Sequence, residues 1–232
     1  MLTEDGKALL QRLQGQLIVS VQAYPGEALR DPQTIARMAQ ACVAGGAAGL
    51  RIQGIADIQM VRSYCQVPVI GLWKDGDSGV VITPTLEHAL AVARAGAHIV
   101  ALDGTRRPRP DGLTLADTIA QLKAQCRVLV MADCGSLPDA EAAVAAGADC
   151  VGTTLAGYTG ERAKTSAPDL ELVAHMRAAA LGVPLVAEGR IYTPAQAQAA
   201  LAAGADMVVV GTAITHPTTI TQWFAQALKE ER

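Results

Sequence analysis

The chain has 232 residues, half of them hydrophobic but only 3% aromatic, with a formal net charge of −3. That length suits one α/β barrel or two smaller domains, and the composition supports a large core built from Ala, Val, Leu and Ile. The near-balanced charge argues against nucleic acid or an anionic membrane as partner, and no apolar run reaches the roughly 20 residues of a membrane-spanning helix.

In chain order, the first stretch (Met1 to Gln16) carries Glu4, Asp5, Lys7 and Arg12 and no apolar signal-peptide region. Leu17 to Val21 then reads as a strand. Four times an Ala-rich, helix-like segment ends in Gly-Ala and runs into an apolar strand, with equivalent glycines at Gly46, Gly96, Gly147 and Gly204. Glycine there is the residue that closes a helix in a left-handed turn. The steps of 50, 51 and 57 residues are too long for one βα unit and right for two. Between the strands that follow these glycines lie four others: Leu17 to Val21, Val67 to Leu72, Arg127 to Ala132 and Pro184 to Ala187. Helices are expected at Pro32–Ala44, Ala56–Tyr64, Thr85–Ala95, Thr114–Gln125, Leu137–Ala146, Pro168–Ala180, Pro194–Ala203 and Thr218–Lys229. Asp31-Pro32, Ser136-Leu-Pro138, Ala167-Pro168 and Thr193-Pro194 supply helix-entry chemistry. Strict βα alternation implies a parallel sheet with right-handed crossovers. Eight units close most naturally into a single-domain α/β fold, a (β/α)8 TIM barrel over residues 1–232; an open doubly wound sheet is the alternative.

Barrel chemistry sits at the carboxyl ends of strands. Those ends carry Gln22, Arg51, Lys74, Asp103, Asp133, Thr153 and Thr154, Glu188 and Thr212. Lys74 closes the run Pro68-Val-Ile-Gly-Leu-Trp-Lys and is a candidate base or Schiff-base amine, because a desolvated lysine beside another cation loses its proton more readily. Glu188 is the candidate partner carboxylate. Arg51 suits a developing oxyanion, and Gln22 and Asp133 suit hydroxyl or amide recognition. The glycine turns after strands 7 and 8, Glu188-Gly-Arg190 and Val210-Gly-Thr-Ala213, are placed to hold a phosphate on backbone N–H groups, with Arg190 adding a forked contact. Asp103 is ambiguous, and the run Arg106-Arg-Pro-Arg109 reads as a solvated loop. His88, His98 and His175 read as structural. Cys42, Cys65, Cys126, Cys134 and Cys150 show no Cys-x-x-Cys and no zinc spacing, so small buried thiols in a reducing, cytoplasmic setting are expected, with no metal site.

Taken together, Ser20-Val-Gln-Ala, Gly49-Leu-Arg-Ile, Pro68-Val-Ile-Gly-Leu-Trp-Lys, Leu102-Asp-Gly-Thr, Met131-Ala-Asp-Cys, Gly152-Thr-Thr-Leu-Ala-Gly-Tyr-Thr159, Ala187-Glu-Gly-Arg-Ile191 and Gly211-Thr-Ala-Ile-Thr215 resemble the N-acetylmannosamine-6-phosphate 2-epimerase family of sialic acid catabolism. The resemblance implies a (β/α)8 barrel that interconverts two phosphorylated amino sugars at C2 without a redox cofactor. It implies Lys74 and Glu188 as catalytic residues. Gln22, Arg51, Asp133 and Thr153 would contact substrate, and Gly189, Arg190, Gly211, Thr212 and His216 would form the phosphate cradle. Two departures stand out: His216 where the family usually has Arg, and a loop after Lys74 (Asp75 to Val80) that is short and lacks an aromatic residue to cover the site. Another phosphate-binding barrel enzyme and a non-catalytic sugar-phosphate sensor are the rival readings. Trp223-Phe224 on the last helix reads as ordinary packing, with a homodimer contact as the alternative.

Overall fold

The computed structural model describes residues 4–77 and 79–230. Its eight strands are β1 (Leu17–Val21), β2 (Gly49–Gln53), β3 (Val69–Leu72), β4 (Ile99–Asp103), β5 (Leu129–Asp133), β6 (Cys150–Gly152), β7 (Leu185–Glu188) and β8 (Met207–Val210). They pair in parallel in sequence order, and β8 closes on β1 to complete a barrel. The expected (β/α)8 architecture is therefore the observed one. No helix among the described residues is long and apolar enough to cross a membrane.

The outer helices are α2 (Pro32–Ala44), α3 (Ile55–Tyr64), α4 (Leu86–Arg94), α5 (Leu115–Gln125), α6 (Leu137–Ala145), α7 (Leu170–Ala178) and α8 (Pro194–Ala202). Side chains of Asp31, Thr85, Thr114, Ser136 and Thr193 accept from backbone N–H groups in their first turns, as N-cap residues do. The expected entry at Ala167-Pro168 is corrected: Asp169 is the cap, accepting from Leu172 N, and α7 is shorter than Pro168–Ala180. It stops because Ala180 turns left-handed at φ 50. Gly46, Gly96, Gly147 and Gly204 have φ of 104, 105, 96 and 111, the left-handed exit their position in the repeat predicts.

Two buried clusters follow from the period-two alternation of the strands. Val19, Leu50, Val100, Val130, Val151 and Val208 face the helices. Ile18, Ile70, Ile99, Met131, Cys150, Val186 and Met207 fill the barrel interior. The helix α1 (Glu4–Leu13) was not among the eight expected, because it belongs to no βα unit. It sets Leu10 and Leu13 into the interior cluster and seals the amino end. Its acidic first turn (Glu4, Asp5) and Arg12 in its last turn are ordinary helix signals.

The chain after β8 forms a short helix, α9 (Thr212–Thr215), and then α10 (Pro217–Glu230). No side chain described on α10 is buried, and Phe224 and Leu228 are 71% and 74% exposed. The packing expected for Trp223-Phe224 is corrected for Phe224; Trp223, 37% exposed, meets the edge of Tyr192 with ring centroids 5.0 Å apart. The five cysteines are free, with Cys65, Cys134 and Cys150 buried, and burial pushes the Cys134 and Cys150 thiols well up, so they behave as small core residues.

Candidate active site

The alternation that fills the barrel also aims side chains from several strand ends into its carboxyl-end mouth. Lys74 follows β3, in an extension held by a bridge to Ile82 and by Thr83 N donating to the Trp73 carbonyl at 2.7 Å. Among the described residues no carboxylate lies within ion-pairing distance of its Nζ, which sits 5.0 Å from the centre of the Tyr24 ring. Burial, then the neighbouring Arg51, lowers its pKa against the opposing pull of Glu188 and Asp133. A lysine so placed holds its proton less firmly than one in water.

Below it lies a charged triad. Arg51 Nη1 and Nη2 donate to Asp133 Oδ1 and Oδ2 at 3.1 and 2.6 Å, a bidentate pair. Arg51 Nη1 also stands 3.2 Å from Glu188 Oε2. Thr154 Oγ1 lies 2.7 Å from Asp133 Oδ1 and 3.1 Å from Glu188 Oε2, tying the two carboxylates together. Burial opposes the charge on Arg51, yet Asp133 and Glu188 outweigh it and its pKa is raised. The Glu188 pKa is raised as well, but for a carboxyl group that favours the neutral form: burial pushes it up to about 7 despite Arg51.

A cavity of about 520 Å³ opens above, lined by Gln22, Tyr24, Lys74, Arg107, Thr154, Tyr158, Glu188, the backbone from Gly189 to Tyr192, Gly211, Thr212 and His216. Lys74, Glu188, Gln22, Gly189, Arg190, Gly211, Thr212 and His216 thus converge, as their strand-end positions predict. Gln22 donates to Ser20 Oγ at 2.8 Å and keeps a buried, unpartnered Oε1. Arg51 and Asp133 are not among the residues lining the cavity; paired with each other, they form a buried layer against Glu188. A second cavity, about 490 Å³, lies at the amino end between α1 and α7, remote from these groups.

Four further expectations change. Thr153 faces outward, its hydroxyl donating to the Glu188 carbonyl at 2.9 Å and accepting from Glu188 N at 3.1 Å; the inward residue is Thr154. Arg190 Nε and Nη1 donate to the Ala167 and Ala156 carbonyls at 3.1 and 2.8 Å, so most of the fork expected for a phosphate is used within the protein, and its backbone is left-handed at φ 57. Both ring nitrogens of His216 are engaged, by Glu27 at 2.6 Å and Thr219 at 2.7 Å. The Arg106 to Arg109 run is solvated only in part: Arg106 is exposed while pairing with Asp139 and Glu161, Arg107 pairs with Asp103, and Arg109 is buried. The aromatic cover absent from the loop after Lys74 comes instead from Tyr24 and Tyr158, in loops after β1 and β6. Ser78 of that loop lies outside the described residues.

Fold and site together define a (β/α)8 barrel with a desolvated lysine and a carboxyl group of raised pKa over a buried arginine, beside the glycine turns that follow β7 and β8. The sequence signature described as "Putative N-acetylmannosamine-6-phosphate epimerase" matches residues 35–230. A Cutibacterium acnes protein named "Putative N-acetylmannosamine-6-phosphate 2-epimerase" is 56% identical over 222 residues, covering 95% of this chain and 97% of that protein. One of the same name from Klebsiella pneumoniae is 49% identical, covering 94% and 92%. The solved N-acetylmannosamine-6-phosphate 2-epimerase of Clostridium perfringens superposes with a TM-score of 0.90 at 37% identity, covering 94% of this chain and 96% of that one. This chain belongs to the N-acetylmannosamine-6-phosphate epimerase family. A thiamine phosphate pyrophosphorylase from Pyrococcus furiosus, at 19% identity and a TM-score of 0.58, shares the fold.

Proposed function

We propose that this chain interconverts N-acetylmannosamine 6-phosphate and N-acetylglucosamine 6-phosphate by moving the proton at C2. The observation that carries the reading is Lys74: a lysine with lowered pKa, no carboxylate partner, and Glu188 in the same cavity. Opening the sugar ring exposes an aldehyde at C1 and makes the C2 proton acidic. Neutral Lys74 takes that proton, and the electron pair moves toward the C1 oxygen. Glu188, titrating near 7, assists ring opening and returns a proton to the opposite face of C2. Arg51 acts from beneath: its charge favours the developing oxyanion, disfavours protonated Lys74, and orients Glu188. The phosphate rests on the backbone of Gly189, Arg190, Gly211 and Thr212. At Gly211 an added Cβ would press on Ser20 Cβ at 3.2 Å, so the turn keeps its backbone open. Chromatography of N-acetylmannosamine 6-phosphate incubated with the protein tests this: the gluco epimer must accumulate to an equilibrium mixture, and its absence rejects the reaction.

The compartment that fits five free cysteines is the cytoplasm. The assembly that fits α10 is a homodimer, because an exposed stripe of Trp223, Phe224 and Leu228 would otherwise stay in water. Sedimentation is expected to give a dimer, and Phe224→Glu a monomer; a monomeric wild type rejects this assembly.

A further inference from the structure

The loop after β4 carries a cation the reaction has not used. Arg107 lines the same cavity as Lys74 and Glu188. Its Nη2 donates to Asp103 Oδ2 at 2.6 Å and its Nε to Thr105 Oγ1 at 2.9 Å, while the Thr105 hydroxyl donates to Asp103 Oδ1 at 2.6 Å. Two of its three nitrogens are thereby fixed, and Nη1 is left as the outstanding donor. The loop itself is pinned. Arg109 donates to the Asp103 carbonyl at 3.0 Å and to the Thr83 carbonyl at 2.6 Å. Thr83 N bonds the Trp73 carbonyl, next to Lys74, at 2.7 Å. Arg107 is therefore held in register with the strand extension that presents Lys74.

Two features define what Nη1 would meet. The ion pair with Asp103 cancels most of the local charge, so the position offers a directed donor with little net field. It suits a neutral acceptor such as a carbonyl oxygen better than a second phosphate. In a barrel closed in sequence order, β4 lies across the mouth from β8. A sugar anchored by its phosphate at the β7 and β8 turns, with C2 at Lys74 and Glu188, extends its C2 substituent toward the β4 loop.

We propose that Arg107 Nη1 donates to the carbonyl oxygen of the substrate's acetamido group, making Arg107 the residue that selects N-acylated sugar phosphates. This rests on the epimerase reading above. The test compares two ligands that differ at C2: N-acetylmannosamine 6-phosphate as substrate and glucose 6-phosphate, which carries a hydroxyl there, as competitive inhibitor. Arg107→Gln is expected to raise KM about tenfold or more with a smaller change in kcat, the scale of a lost hydrogen bond to a charged donor, and to leave the Ki of glucose 6-phosphate within about twofold. Arg107→Lys should recover part of the loss. Should Arg107→Gln fail to fold, Thr105→Val, which frees Nε but keeps the guanidinium, is expected to show a smaller loss of the same selectivity. Equal weakening of both ligands, or no change in KM, overturns the proposal. If the wild type turns nothing over, the reaction fails rather than this inference, which calorimetric binding of N-acetylglucosamine 6-phosphate against glucose 6-phosphate then decides by the same contrast.

Discussion

Replacing Glu188 with Gln tests the electrostatics of the site through stability rather than rate. Burial raises the Glu188 pKa to about 7 from the ordinary 4.5. In the unfolded chain the carboxyl ionises from about pH 4.5; in the fold it holds its proton until about 7. Between those values the folded state binds more protons, so stability falls as pH rises. Below the window Glu188 contributes nothing; above it the full cost of a desolvated carboxylate is present. At 1.36 kcal/mol per pKa unit, the difference between pH 5 and pH 8 is roughly 2 to 3 kcal/mol. Gln has the same shape and no proton to lose. The exchange does not orphan Arg51, which keeps both Asp133 bonds at 3.1 and 2.6 Å. Glu188→Gln should therefore gain stability over the wild type by roughly 2 to 3 kcal/mol more at pH 8 than at pH 5, close to a 1 M shift in urea midpoint, while losing turnover. Urea unfolding of both proteins at pH 5, 6, 7 and 8 reads this directly. A gap that is the same at every pH, or a variant less stable at pH 8, would refute the reasoning.

Asp133→Asn leaves the buried Arg51 with Glu188 as its one carboxylate partner in the triad. A cost of roughly 3–5 kcal/mol is expected in chemical unfolding, as when one member of a buried pair is removed; a loss under about 1 kcal/mol contradicts the triad. Lys74→Met removes a desolvated amine that has no carboxylate partner among the described residues, so turnover should fall at least ~100-fold while the melting temperature holds or rises. Gly71→Ala would set a Cβ 2.6 Å from Ala97 Cβ and 2.8 Å from Val92 Cγ1 where β3 packs on α4. That overpacking is expected to cost about 1–3 kcal/mol, read as a melting temperature several degrees lower with activity per folded molecule intact.

The barrel was legible because its signals are local. A glycine after each Ala-rich helix and an apolar run after each glycine repeat with a fixed period, and the helix caps sit beside them. Lys74, Glu188 and Gln22 were legible because a polar residue ending an apolar strand has one place to point. The remainder depended on partners distant in sequence. Arg190 reads as a phosphate ligand until Ala156 and Ala167 present their carbonyls; His216 does so until Glu27 arrives from the β1 loop. Three arginines beside prolines look solvated, yet Arg109 finds two carbonyls and Arg107 an aspartate. Thr153 stands one residue before the inward position: with Cys150 inside the barrel and Val151 outside, the alternation puts Thr154 inward, a signal present in the sequence.

The measurement that tests the central claim most directly is proton NMR of the protein with N-acetylmannosamine 6-phosphate in D₂O. Proton abstraction by Lys74 in an open cavity predicts resonances of N-acetylglucosamine 6-phosphate with deuterium at C2 for the wild type, and no exchange for Lys74→Met. A wild type that binds the sugar phosphate without epimerisation or exchange, or a Lys74→Met variant that exchanges C2 at the wild-type rate, would contradict it.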